Sequence, residues 1–74
     1  MLENIIEIIC NYVDADPASI TDESALRKDI GMSSLDMINL AVEVEDQYSI
    51  SLPNSEVINI NTVGELIEYI KNHQ

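Results

Sequence analysis

The spacing of the apolar residues constrains this chain more than any other feature. Leu2, Ile5, Ile6, Ile9 and Val13 recur at the i, i+3, i+4, i+7 spacing of an amphipathic helix, and Ile8 and Tyr12 widen the stripe. Val63, Leu66, Ile67 and Ile70 repeat the pattern near the other end. Strand signals are weak: VINI and YSISLP are short and lie between helical segments. At 74 residues the sequence has room for one domain, spanning 1–74, near the lower limit of independent stability. The expected architecture is all-α, a small four-helix bundle of three main helices and one short one.

Helix one is expected to end near Asp14, because Asp16-Pro17 disfavours continuation. A long connection follows over 15–33. Ile20, Leu26 and Ile30 are its core anchors, Asp22 to Asp29 is read as a short helical turn, and Gly31 supplies a bend. Helix two is expected from Ser34 to Tyr48, and a short helix within Asn54 to Ile58, after Pro53. The last helix starts at Thr62, with Glu65 at the capping-box spacing and Lys71 and His73 near its C-terminus.

Charge bounds the partners. Fourteen acids face three bases, for a formal net charge of −11. Such a chain is expected to repel nucleic acid and anionic lipid and to attract basic protein surfaces in a salt-dependent way; the plainer alternative is that the acidity only keeps it soluble. Hydrophobic content of 46% separates it from a disordered acidic tail. No apolar run approaches the roughly 20 residues of a membrane span. The N-terminus lacks an early basic cluster, which argues against a signal peptide. The single cysteine, Cys10, allows no internal disulfide and fits a reducing cytoplasm; it is expected to pack rather than react.

The stretch GMSSLD, residues 31–36, holds two adjacent serines. Ser33 and Asp36 match the capping box, a serine at the N-cap and an acid three residues on. Ser34 then falls at the first helical position, where free N–H groups and the helix dipole favour a phosphate ester. The plainer alternative is that both serines only cap the helix. At about 100° per residue, helix two carries Met37, Leu40, Ala41, Val44 and Tyr48 on one arc, the natural core face. Asp36, Asn39, Glu43, Asp46 and Gln47 lie opposite. A third arc holds Leu35, Ile38 and Val42, with Glu45 and Ser34 at its edge. One covered side needs only one apolar arc, so this surplus arc rimmed by acids reads as a docking face. The alternative is that the later helices cover both arcs, Leu35 included.

On these residues the chain resembles an acyl carrier protein. IGMSSLDMINLAVEVEDQYSISLP is similar to the family's centre, with Gly31, Ser34, Leu35, Asp36, Glu45, Asp46, Tyr48, Ile50 and Pro53 at matching positions. SALRKDIGM resembles the loop before the serine, and NTVGELIEYI the last helix. The resemblance spans essentially the whole chain. It implies an acyl-carrier-like fold and a carrier rather than an enzyme. Ser34 would bear 4′-phosphopantetheine, taken from coenzyme A, whose thiol holds an acyl chain as a thioester for fatty acid or polyketide-type biosynthesis. The implied partners are a phosphopantetheinyl transferase and acyl-transferring and chain-elongating enzymes with basic patches. They would dock on Asp36, Ile38, Val42, Glu45 and Asp46 of a monomer. Two departures stand out: Ser33 where the family commonly has aspartate, and Asn39 where an acid is common. They put transferase preference in doubt and point to a specialised carrier.

Two other readings compete: an aminoacyl or peptidyl carrier, and an unmodified acidic helical adaptor for which Ser34 is dispensable. Catalysis and a dedicated metal site lack residues. The only histidine, His73, is read as solvated, and no Ser-His-acid set or metal-loop spacing is present.

Overall fold

The computed structural model describes residues 1–74 and contains four α-helices: α1 (Leu2–Cys10), α2 (Ser34–Tyr48), α3 (Asn54–Val57) and α4 (Val63–His73). The helical order expected from the sequence is met, and α2 has the expected bounds. A single 3₁₀ turn, Pro17–Ser19, lies between α1 and α2 and was not foreseen. Its cap is the Asp16 carboxylate, which accepts the Ala18 N–H at 3.0 Å.

α1 ends at Cys10 rather than near Asp14. The chain tightens there: Asn11 and Tyr12 donate three residues back, to the Ile8 and Ile9 carbonyls. Val13 still donates to Ile9 at 3.1 Å, so hydrogen bonding runs past the regular helix. The apolar stripe is also rotated from the expected one. Ile5, Ile8 and Ile9 are buried, while Leu2, Ile6 and Val13 sit at the rim. α1 packs against both α2 and α4, which moves the buried centre onto Ile8.

One core of 16 buried residues, all hydrophobic, joins every helix. Ile20 and Leu26 of the long connection belong to it, whereas Ile30 is half-buried. The connection closes in turns, and its i→i+4 bonds from Ala25 onward give the short helical turn expected within Asp22 to Asp29, without a regular helix. Asp29 and Ile30 both donate to the Ala25 carbonyl, and Gly31 donates to Arg27. VINI and YSISLP form no strand; the sole bridge is an isolated antiparallel pair, Ala25 with Thr62. Around it Leu26 donates to Asn61, Val63 to Ser24 and Gly64 to Asp22. The first N–H groups of α4 are therefore satisfied by the connection, not by α4 alone. The expected capping box at Thr62 is half-formed. Thr62 Oγ1 accepts the Glu65 N–H at 3.1 Å, but the Glu65 carboxylate reaches the Asn61 N–H instead.

Gly64 makes that seam possible. A Cβ there would lie 2.9 Å from the Asp22 carbonyl oxygen, the atom that receives the Gly64 N–H at 2.7 Å. The obstruction is backbone and cannot swing aside. Gly64→Ala is expected to cost roughly 1–3 kcal/mol as overpacking, which at this size lowers Tm by roughly 4–8 °C per kcal/mol. A thermal melt matching wild type would disprove the close approach.

Candidate functional site

The start of α2 is assembled from both sides. On the loop side Gly31 takes φ +88°, a left-handed value that glycine adopts without strain. Met32, next in line, is buried and donates to the Leu26 carbonyl at 3.0 Å. Ser33 is the N-cap. Its Oγ accepts the Asp36 N–H at 3.1 Å, and Asp36 Oδ2 accepts the Ser33 N–H at 2.9 Å, so both halves of the box are formed. The Met37 N–H goes to the Ser33 carbonyl at 3.0 Å. Of the first four N–H groups of α2, those of Ser34 and Leu35 find no partner within the chain. Ser34 is exposed at the first helical position, with a hydroxyl free of intramolecular bonds. A phosphodiester on Ser34 Oγ fits this place. Solvent surrounds the hydroxyl, and the two free N–H groups and the helix dipole favour the anion.

Along α2 the arcs separate as expected. Met37, Leu40, Ala41 and Val44 are buried. Leu35 is 65% exposed and Val42 59%, with Ile38 half-buried between them. Leu35 is thus not covered by the later helices, and it joins the exposed apolar face. Tyr48 is half-buried, because its hydroxyl accepts a hydrogen bond from Asn4 Nδ2 at 2.7 Å. The same amide donates to Gln47 at 2.8 Å, which ties α1 to the end of α2.

The acids expected at the docking face are not equivalent. The Asp36 carboxylate is engaged by the cap. Glu45 accepts the Leu52 N–H at 2.7 Å. Asp46 is exposed and free of intramolecular bonds. Glu43, placed on the polar arc, accepts the Tyr12 hydroxyl at 3.1 Å. Tyr12, Val42, Glu43, Glu45 and Asp46 together line a shallow depression. Burial pushes the Tyr12 hydroxyl above its ordinary range, and the bond to Glu43 and that carboxylate's charge push it the same way. Sequence reasoning missed Tyr12 as a neighbour of this face. A helical wheel of α2 cannot report a residue that belongs to the turn after α1.

His73 is exposed as expected, yet it is held: its ring stacks on Tyr69 at 3.9 Å between centroids, and Nδ1 lies 2.8 Å from the Tyr69 carbonyl. Cys10 packs against the core at half-burial, with Sγ directed at the Ala15 carbonyl at 3.6 Å. No helix is long and apolar enough to cross a membrane.

The net charge of −11 gathers on a small body, 28 × 22 × 18 Å in extent. Like charges at that density repel, and mobile ions screen the repulsion. Added sodium chloride or magnesium is expected to raise Tm. A melting temperature insensitive to both would show that self-repulsion does not limit stability.

Residues 3–70 match the family described as phosphopantetheine attachment site. The fold is similar to that of an acyl carrier protein from Enterococcus faecalis noted for high thermal stability. That match has 25% identity and a TM-score of 0.82, over 99% of this chain and 92% of that one. It is also similar to the solution structure of the apo doublet acyl carrier protein from prodigiosin biosynthesis, with 19% identity and a TM-score of 0.81. There the chain is covered to 99% but spans only 36% of the doublet.

Proposed function

From the premise that this chain belongs to the phosphopantetheine-attachment family of acyl-carrier proteins, we propose that Ser34 is its attachment point and that 1–74 work as a single carrier domain. The family membership makes it a carrier for covalent 4′-phosphopantetheine rather than an enzyme. The observation that carries the assignment to Ser34 is the completed capping box. With Ser33 committed to the cap, Ser34 is the serine left with a free, exposed hydroxyl at the positive end of α2. When bound, the group would supply a thiol that holds an acyl chain as a thioester.

The chain's own part in this chemistry is placement. The capping box fixes the first turn of α2 and so holds the Ser34 hydroxyl outward. The free Ser34 and Leu35 N–H groups stabilise the phosphodiester charge once formed. Partners would dock on the acid-rimmed face of Ile38 and Val42, with Leu35 added, and Asp46 offers the unengaged carboxylate. Asp36 and Glu45 belong to the face but also serve the fold. The strongly acidic α2 favours an acyl carrier for fatty acid or polyketide-type synthesis over an aminoacyl carrier. The single Cys10, with no possible internal disulfide, supports a reducing, cytoplasmic setting, and we read the carrier as a monomer.

The test is intact mass after incubation with coenzyme A and a broad-specificity phosphopantetheinyl transferase. Wild type is expected to gain one phosphopantetheine. No gain, with the transferase active on a control carrier, would favour the unmodified adaptor or a carrier that needs a dedicated transferase.

A further inference from the structure

We propose that Arg27 and Lys28 form a cationic cradle for the phosphodiester on Ser34, holding the root of the arm against the turn that leads into α2. The inference rests on reading Ser34 as the attachment point and adds what this chain's own side chains do for the attached group.

Cations are scarce in this chain. Arg27, Lys28 and Lys71 stand against fourteen acids. Arg27 and Lys28 are adjacent, exposed, and placed in the turn just before the Ser33 cap. Lys71 lies on the last turn of α4, beside Met1 and Leu2. That end of α1 is tied to the far end of α2, since Asn4 bonds Gln47 and Tyr48. Gln47 is thirteen residues along the helix from Ser34, or roughly 20 Å at about 1.5 Å per residue. The positive charge is therefore gathered next to the attachment point and absent from the rest of that helix.

The backbone fixes the pair relative to Ser34. Leu26 and Met32 are both buried, and the Met32 N–H donates to the Leu26 carbonyl at 3.0 Å. The Gly31 N–H donates to the Arg27 carbonyl at 3.1 Å. The loop over 25–32 is thus closed on itself, with Arg27 and Lys28 on it. Ser34 follows Met32 by two residues, at most roughly 7 Å of chain. Long basic side chains on such a base can reach a group that itself projects from the Ser34 hydroxyl. The acids nearest in sequence are turned onto the backbone: Asp29 Oδ2 accepts the Ala25 N–H at 2.8 Å, and Asp36 Oδ2 the Ser33 N–H at 2.9 Å.

The chemistry of the pair suits the group. A phosphodiester keeps a negative charge shared by its unesterified oxygens. A guanidinium offers parallel N–H donors to such oxygens, and an ammonium adds a point charge. Adding that anion to a chain of net charge −11 raises self-repulsion, and the pair offsets it at the place where it is added. The root of the arm is restrained while its thiol end stays free.

The test compares apo and holo forms of wild type, of the Arg27→Gln/Lys28→Gln double variant and of Lys71→Gln, with loading verified by intact mass. The first readout is the change in Tm from apo to holo at low salt. Loading is expected to lower Tm in the double variant by roughly 2–5 °C more than in wild type. The free N–H groups of α2 act alike in every sample, so the comparison reports the basic pair alone. Lys71→Gln should match wild type. The second readout is the phosphorus NMR resonance of the holo proteins, measured against dimethyl phosphate. In wild type it should move when sodium chloride is raised to about 1 M, which screens the pairing, and end at the position of the double variant. A wild-type resonance indifferent to salt would overturn the cradle without recourse to any variant. So would the same apo-to-holo change in Tm in all three proteins. An effect of Lys71→Gln equal to that of the double variant would transfer the effect to net charge and overturn the local pairing. Failure of wild type to load, or loading that survives Ser34→Ala, would remove the attachment point first and the cradle with it.

Discussion

Ser34→Ala is expected to gain no mass when incubated with coenzyme A and the transferase, whereas Ser33→Ala should gain one phosphopantetheine like wild type. The two serines are adjacent but differ in what they touch. Ser34 Oγ makes no bond in the chain and stands in solvent, so its removal leaves the fold alone. Stability of Ser34→Ala should stay within roughly 0.5 kcal/mol of wild type, as for an uninvolved surface position. Its loss of loading then cannot be ascribed to unfolding. Ser33→Ala behaves in the opposite way. It strips the acceptor from the Asp36 N–H and should cost roughly 0.5–2 kcal/mol, yet it leaves the reacting hydroxyl in place. Intact mass and a thermal melt on the same samples separate the two effects. Loading that survives Ser34→Ala and disappears with Ser33→Ala would reverse the roles assigned here.

A second large effect follows from the two apolar arcs of α2. Leu40→Ala is expected to cost roughly 2–5 kcal/mol, because the side chain is fully buried and the bundle cannot close over the cavity left behind. At about 0.05–0.15 kcal/mol per residue, a chain of this length has a total stability of the same order. The variant should therefore be largely unfolded at temperatures where wild type is folded. Leu35→Ala removes the same atoms from a residue that is 65% exposed. It should change stability by no more than roughly 0.5 kcal/mol and instead weaken association with the transferase. Urea denaturation of both variants decides the matter. Equal destabilisation would mean that the outer arc is packed and is no docking face.

The helices were legible because their information is local. The bounds of α2 follow from Ser33 and Asp36 at one end and from the periodic core positions up to Tyr48. The exposed arc of Leu35, Ile38 and Val42 follows from counting apolar residues that one covered side cannot use. The end of α1 was less legible. Its apolar pattern continues to Val13, but the backbone tightens three residues earlier, and hydrophobic spacing does not report that change. The stitched seam between the long connection and α4 was not legible at all. It consists of backbone groups of Asp22, Ser24 and Leu26 meeting those of 61–64, and backbone groups are the same in every residue.

What the chain determined by itself is therefore its helical class, the α2 cap that leaves Ser34 outward, and the acidic face behind it. Each depends on residues within a turn or two of one another. Only the tertiary structure decided which carboxylates of that face are free. Glu45 is drawn inward by an N–H seven positions away, and Glu43 by a hydroxyl thirty-one positions away, while Asp46 is left to solvent. Hydrogen-bond partners brought together by packing set the roles of otherwise identical side chains, and packing is a property of the whole fold.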